Sequence, residues 1–89
     1  MYSIIFSKQA IKDARLIKAS KLQNKVEQIL ETMIQDPYNP NNNYEELKYD
    51  MLGFYSRRIT YQHRLIYEVD KKKKRITILR MWSHYDKIK

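Results

Sequence analysis

The chain has 89 residues, which is enough for one compact domain but not for two, so we predict a single domain over residues 1–89. A hydrophobic content of 43%, with one glycine and two prolines, argues against disorder, and the lack of cysteine excludes disulfides and thiolate metal sites. The apolar run near residue 5 is too short for a signal peptide or a membrane span, so we expect a cytoplasmic protein without membrane contacts.

The formal net charge of +8 is unevenly distributed. Residues 37–89 carry twelve Lys or Arg and six Asp or Glu, whereas residues 1–36 carry six and four. Most of the tyrosines and the only tryptophan also lie in the second part. Cations interleaved with aromatic rings suit a polyanion whose bases can stack. Composition therefore slightly favours a nucleic acid ligand, and RNA, DNA and an acidic protein partner all remain open.

The first part of the chain predicts a strand followed by two helices. Residues 2–6 have strand composition, and apolar residues at helical spacing predict a helix over residues 8–18. Ser20 and Gln23 form a capping-box pattern, which predicts Ser20 as the N-cap of a second helix. That helix is expected to end before Pro37, because the residue preceding a proline disfavours helical geometry.

The second part predicts three strands after a turn-rich loop at residues 37–43. Residues 54–61, 63–69 and 75–82 have strand composition, and the middle segment alternates as a half-buried strand does. The lysine run at residues 71–74 is expected to be a solvated hairpin tip. Two consecutive hairpins imply a mostly antiparallel, twisted sheet. We therefore predict an α+β domain of order β-α-α-β-β-β, with both helices on one face of the sheet.

Three side chains could combine into a catalytic set. Glu45, Arg64 and His84 are separated by 19 and 20 residues and could converge on one face of the sheet. Taken singly, each has an ordinary structural explanation, such as a solvated surface pair of Glu45 with Lys48. Together they supply a base, a cation for phosphate and an acid, which are the groups that metal-free RNA cleavage by a ribose 2′-OH requires. The two histidines give no convincing metal-ligand spacing, so we predict no metal and no cofactor.

Several motifs resemble those of a known family. The chain carries Leu-Gly-Phe-Tyr-Ser-Arg-Arg-Ile-Thr at residues 52–60, His-Arg-Leu-Ile-Tyr at residues 63–67, and His-Tyr at residues 84–85. With Glu45, Leu47 and Lys48 ahead of them, these motifs resemble the YoeB/Txe branch of the RelE-like toxins. The close match covers about half of the chain, and the length and the predicted order of elements extend it to the whole.

The resemblance implies a small RelE-like domain with ribosome-dependent endoribonuclease activity. Such a toxin cuts the mRNA codon in the ribosomal A site and leaves a 2′,3′-cyclic phosphate or 3′-phosphate and a 5′-OH, which inhibits translation. On the matching positions, Glu45 is the general base and Arg64 stabilises the phosphoryl charge. His84 is the general acid, and Tyr85 helps to orient or stack on the substrate.

The resemblance also implies RNA-binding roles for Lys48 and Arg58. Consecutive strand residues point to opposite faces, so at most one of Arg57 and Arg58 faces a given site, and Arg57 is kept as a candidate. Glu46 stands where the family often has proline, so either Glu45 or Glu46 could present the base. The family usually ends at His-Tyr with the chain carboxylate close to the site, whereas residues 86–89 follow here and displace that carboxylate.

The partners implied by the resemblance are a YefM/Axe-like antitoxin, the ribosome with its mRNA, and a second toxin chain in a homodimer. Operator DNA is expected only for the toxin–antitoxin complex. Two alternatives remain: a non-catalytic regulator of the same fold that binds nucleic acid, and a RelE-fold toxin with another target. The first alternative predicts that Glu45 and His84 are dispensable.

Overall fold

A computed structural model describes the backbone of residues 1–84 and the side chains of residues 1–83. Two helices cover one face of a five-stranded sheet, which confirms the predicted α+β class. The elements in chain order are β1 (Ser3–Phe6), α1 (Lys8–Ala19), α2 (Gln23–Gln35), β2 (Glu45–Glu46), β3 (Phe54–Arg58), β4 (His63–Asp70) and β5 (Arg75–His84), with a 3₁₀ turn at Tyr49–Met51.

The strands are arranged in the order β1-β5-β4-β3-β2. β3, β4 and β5 form the two predicted antiparallel hairpins, and β1 pairs with β5 in parallel. The two-residue β2, which the sequence did not predict, adds to the edge of β3. β3 ends at Arg58 rather than at residue 61, because Ile59 and Thr60 turn towards β4 and donate their backbone N–H groups to the carbonyl of His63.

The connection between α1 and α2 differs from the predicted capping box. Ser20 is the C-cap of α1, and its backbone N–H donates to the carbonyl of Leu16 at 2.9 Å. Lys21 then adopts a left-handed conformation with φ 60°, and α2 begins after Leu22 without a side-chain cap. The prediction of Ser20 as an N-cap is therefore wrong, because the chain uses this residue to close the preceding helix.

The core lies between the helices and the sheet. Strand alternation directs Leu65 and Tyr67 of β4 towards the helices, and Arg64 and Ile66 towards the opposite side, which we call the helix-free face. Within the described chain, neither helix is long and apolar enough to cross a membrane. The buried core residues are Ala10, Ile17, Val26, Ile29 and Met33 from the helices and Ile59, Leu65, Tyr67, Ile76, Ile78 and Met81 from the remainder of the domain.

Candidate active site

Glu45 and Arg64 meet on the helix-free face. Pairing of β2 with β3 sets Glu45 opposite Ser56, and Arg64 lies on the next strand. The Nη1 atom of Arg64 lies 3.4 Å from a carboxylate oxygen of Glu45, and it also donates a hydrogen bond to the hydroxyl of Ser56 at 2.9 Å. The Arg64 side chain is 4% exposed, whereas that of Glu45 is 52% exposed. The carboxylate thus lies at the surface, over a buried guanidinium that Ser56 holds in place.

Register also separates the two candidate carboxylates. Glu46 pairs with Tyr55, whose side chain points to the other side of the sheet from that of Ser56. The negative charge of Glu46 contributes, after burial and Tyr55, to a raised pKa of Tyr44 on that side. Of the two glutamates, only Glu45 forms an ion pair with Arg64 among the described residues. The geometry therefore favours Glu45.

Arg58 lies beside Arg64 on the helix-free face. The two arginines are directly opposite each other on β3 and β4, a cross-strand arrangement in which like charges repel. Arg58 is half-buried, and its guanidinium donates to the carbonyl of Tyr61 at 3.0 Å. Lys48 is exposed and comes directly after Leu47, whose side chain is buried. Arg58 therefore adds positive charge beside Arg64, while Lys48 follows Glu45 by three residues along the chain.

Arg57 lies on the side of the helices and is fully buried. Its guanidinium donates to Tyr67 Oη at 3.1 Å, to the carbonyl of Asn41 at 2.8 Å and to the carbonyl of Pro37 at 2.9 Å. It also lies over the ring of Tyr44, 5.0 Å from the ring centroid. Since its guanidinium lies on the side of the sheet away from Arg64 and is covered by the loop at residues 37–43, the RNA-binding prediction for Arg57 is corrected: this residue clamps that loop onto β3.

Tyrosines enclose that clamp. Burial raises the pKa of Tyr67, whose hydroxyl donates to the carbonyl of Pro37 at 2.6 Å, while the nearby Arg57 acts in the opposite direction. Burial and then Tyr55 raise the pKa of Tyr38 to about 12 and raise that of Tyr44. These tyrosines therefore stay neutral near pH 7 and serve as packing and hydrogen-bonding groups.

The predicted acid lies at the end of β5. The backbone of His84 pairs with that of His63, and the preceding Ser83 is opposite Arg64. The side chain of His84 and the whole of Tyr85 lie outside the described residues. His63 stacks on Trp82 with ring centroids 3.9 Å apart, in keeping with a structural role. Within the described chain, no three His, Asp or Glu residues cluster where they could hold a metal ion.

Two supporting residues were missed from the sequence. Ser56, the hydroxyl partner of Arg64, has the same strand parity as Arg58, and this parity was the available signal. Asp13, on α1, is buried and accepts from the backbone N–H of Met81 at 2.9 Å, which ties the helix to β5 near the site. No signal in the local sequence distinguishes Asp13 from a solvated helix residue.

Comparison with known proteins gives the same fold and assigns a family. Residues 6–85 match the YoeB-like toxins of bacterial type II toxin–antitoxin systems. The chain belongs to this family. The match includes both helices, Glu45, Arg64 and the strands around this pair. Of the described elements, only the first three residues of β1 lie outside it.

Curated YoeB-like relatives are similar over part of their length. The chain is 37% identical over 57 residues to Toxin YoeB from Escherichia coli O6:H1, strain CFT073, and 35% identical over 57 residues to Toxin YoeB from Escherichia coli K12. Each alignment covers 64% of this chain and 61% of the relative. The chain thus aligns with less than two thirds of the length of these curated relatives.

Solved structures of YoeB toxins are similar over almost the whole chain. The YoeB dimer from Staphylococcus aureus has a TM-score of 0.81 and 32% identity, covering 94% of this chain and 98% of that one. The heterotetrameric YoeB–YefM complex from the same species has a TM-score of 0.79 and 32% identity, covering 96% and 99%. The YoeB/ParE toxin from Agrobacterium tumefaciens has a TM-score of 0.85 and 25% identity, covering 93% and 99%.

Proposed function

We propose that this protein is a ribosome-dependent endoribonuclease that cuts mRNA in the ribosomal A site. The observation that carries the proposal is the contact between a half-exposed Glu45 and a buried Arg64, in a chain of the YoeB-like toxin family. This pair places a base beside a cation, and cleavage of a ribose-phosphate bond needs both.

Glu45 and Arg64 must separate during the reaction. In the free protein the carboxylate of Glu45 covers the guanidinium of Arg64, whose side chain is 4% exposed. A substrate phosphate that displaces the carboxylate would take its place on Arg64. Glu45 would then accept the proton of the ribose 2′-OH, and the oxygen of that hydroxyl would attack the adjacent phosphorus. Arg64 stabilises the charge that develops on the phosphoryl oxygens.

His84 completes the proposed reaction as the general acid. It protonates the 5′-oxygen as the phosphorus–oxygen bond breaks, so the products are a 2′,3′-cyclic phosphate, or the 3′-phosphate formed from it by hydrolysis, and a 5′-OH. Tyr85 orients the substrate, and Lys48 and Arg58 bind its backbone. One base and one acid do not by themselves align RNA for in-line attack, so the ribosome supplies that alignment.

The proposed partners follow from the relatives. Because YoeB of Staphylococcus aureus forms a complex with YefM and a dimer, we propose that this chain also binds a YefM-like antitoxin and pairs with a second copy. The toxin–antitoxin complex, rather than the toxin alone, would bind operator DNA. We place the activity in the cytoplasm, since its substrate is translating mRNA.

The test is cleavage of ribosome-bound mRNA, mapped by primer extension. Wild type is compared with His84→Ala and Arg64→Lys, which keeps the charge of Arg64 but loses its planar donor geometry. Both variants should cut at least about 100-fold more slowly, since each removes a group that acts in the transition state. Thermal unfolding of each variant, checked by circular dichroism, separates lost chemistry from lost folding.

Two results would contradict the proposal. If folded wild type binds ribosomes or RNA but cleaves no mRNA, with or without ribosomes, the protein is a non-catalytic binding module. If wild type cuts naked RNA as fast as ribosome-bound mRNA, the dependence on the ribosome is wrong.

A further inference from the structure

β5 is irregular at the point where it passes the candidate site. Arg64 pairs with Ser83, Ile66 with Arg80, and Tyr67 with Ile78. β5 therefore contains one extra residue between the first two pairs and another between the last two, as β-bulges do. Bulges redirect side chains and are frequent next to active sites.

The second bulge decides which way Arg80 points. Ile76 and Ile78 are buried in the core, and uninterrupted alternation would direct Arg80 into the core with them. Because of the extra residue, Arg80 instead lies opposite Ile66 on the helix-free face, where it is exposed. Met81 is buried in its place. The irregular register thus turns an arginine out of the core and onto the face that carries Arg64.

This part of β5 is held firmly. The side-chain hydroxyl of Ser7, the N-cap residue of α1, donates to the carbonyl of Leu79 at 2.8 Å. On the other side of Arg80, the backbone N–H of Met81 donates to the buried carboxylate of Asp13 at 2.9 Å. The backbone on both sides of Arg80 is therefore hydrogen-bonded to side chains of α1 and its N-cap, and these contacts stabilise the bulge.

Arg80 extends a row of site residues across the sheet. Glu45, Ser56, Ile66 and Arg80 occupy successive register positions on β2, β3, β4 and β5. Strand spacing and rise place the Cα atoms of Arg64 and Arg80 roughly 8 Å apart. Among the described residues, no carboxylate forms an ion pair with Arg80.

We propose that Arg80 binds the RNA backbone at a phosphate next to the one held by Arg64. The inference rests on the proposed function, since it takes the substrate to be a single RNA strand lying across the helix-free face. An exposed arginine suits this task, because its guanidinium can donate two parallel hydrogen bonds to one phosphate. Arg80 is thus a binding residue that sets substrate affinity and takes no part in proton transfer.

The test compares Arg80→Ala with Arg15→Ala. Arg15 is exposed on α1, in the layer on the other side of the sheet, so its variant loses the same charge away from the RNA. Binding of a short 2′-O-methyl RNA, which lacks the attacking hydroxyl, is measured by fluorescence anisotropy over a range of salt concentrations. The half-saturating ribosome concentration and the maximal rate of cleavage are measured in parallel.

Arg80→Ala should weaken RNA binding about three- to tenfold and reduce the slope of log affinity against log salt by about 0.7, as expected for one lost phosphate contact on a single strand. Half-saturation should rise by a similar factor, with the maximal rate within about twofold of wild type. Arg15→Ala should match wild type, and Arg80→Lys should bind with intermediate affinity.

The outcomes separate this inference from the proposed function. Equal RNA binding by Arg80→Ala and Arg15→Ala overturns the inference, even if wild type cleaves mRNA. A loss confined to antitoxin binding also overturns it. If wild type fails to cleave but Arg80→Ala alone weakens RNA binding, the role of Arg80 stands and the proposed cleavage reaction fails.

Discussion

At the scale of single residues, Glu45 and Glu46 provide a matched pair of substitutions. Glu45 contacts Arg64, while Glu46 pairs with Tyr55 on the other side of the sheet. We expect Glu45→Gln to lower the single-turnover rate of cleavage on the ribosome by about 100- to 10,000-fold, because an amide cannot accept the 2′-OH proton. Glu46→Gln should cut within about threefold of wild type, since its carboxylate lies away from Arg64.

Urea unfolding of both variants separates lost chemistry from lost folding. Arg64 is 4% exposed, so loss of the Glu45 charge should cost about 1–3 kcal/mol of stability, part of which the amide oxygen of Gln can offset by accepting a hydrogen bond from Arg64. An equal loss of rate in the two variants, or a larger loss in Glu46→Gln, would show that Glu45 is not the base.

The sequence predicts the residues of this site better than it predicts how they are arranged. Glu45 and Arg64 were identified by their chemistry and by their place in the motifs, and they lie in contact. The choice between Glu45 and Glu46 depended on register, which becomes visible only when β2 pairs with β3. The burial of Arg57 was likewise hidden, because its partners are backbone carbonyls of a distant loop.

At the scale of elements, Arg57 connects β3 to the loop that leads into β2. Its buried side chain donates to two loop carbonyls and to Tyr67, and the hydrogen bonds to Pro37 and Tyr67 are themselves buried. We expect Arg57→Met to reduce the free energy of unfolding by about 2–4 kcal/mol, because it leaves buried acceptors without donors and frees the loop. Urea unfolding followed by tyrosine and tryptophan fluorescence measures this change.

Arg15→Met is the control for that experiment. It makes the same chemical change at an exposed helix position and should alter stability by less than about 0.5 kcal/mol. If Arg57→Met were as mild as Arg15→Met, the clamp would not contribute to stability, and the loop before β2 would be held by its other contacts.

Local patterns predicted the long elements and missed those set by tertiary contacts. The alternation over residues 63–69 predicted β4 within one residue, because one side of that strand is core. The same rule fails in β5, where bulges turn Arg80 outwards and bury Met81. The parallel pairing of β1 with β5 joins segments about 70 residues apart, and no local pattern records such a contact.

At the scale of the whole molecule, the sheet separates two chemistries. The side towards the helices holds the apolar core and the tyrosines around Arg57. The helix-free face carries Arg58 directly opposite Arg64 on β3 and β4, and Arg80 on β5 opposite Ile66. These three arginines therefore place part of the positive charge noted in the second part of the sequence on one face, where it can attract a polyanion.

The buried tyrosines make stability depend on pH at the alkaline end. Tyr67 has a raised pKa in the folded chain because it is buried, whereas in the unfolded chain its pKa is about 10. Its contribution to stability is therefore complete below pH 10. Above that pH the unfolded chain loses the proton while the folded chain keeps it, so stability falls by up to about 1.4 kcal/mol per pH unit from this group.

Comparison of wild type with Tyr67→Phe isolates that contribution, because the lysines that also titrate in this range are common to both. Urea unfolding should show wild type more stable by about 1–3 kcal/mol at pH 8, since the variant loses the hydrogen bonds to Pro37 and Arg57. The difference should shrink steadily between pH 10 and pH 11.5, as phenylalanine has no proton to lose. A difference that stayed constant over that interval would mean that Tyr67 ionises equally in the folded and unfolded chains, and that its burial does not restrain its titration.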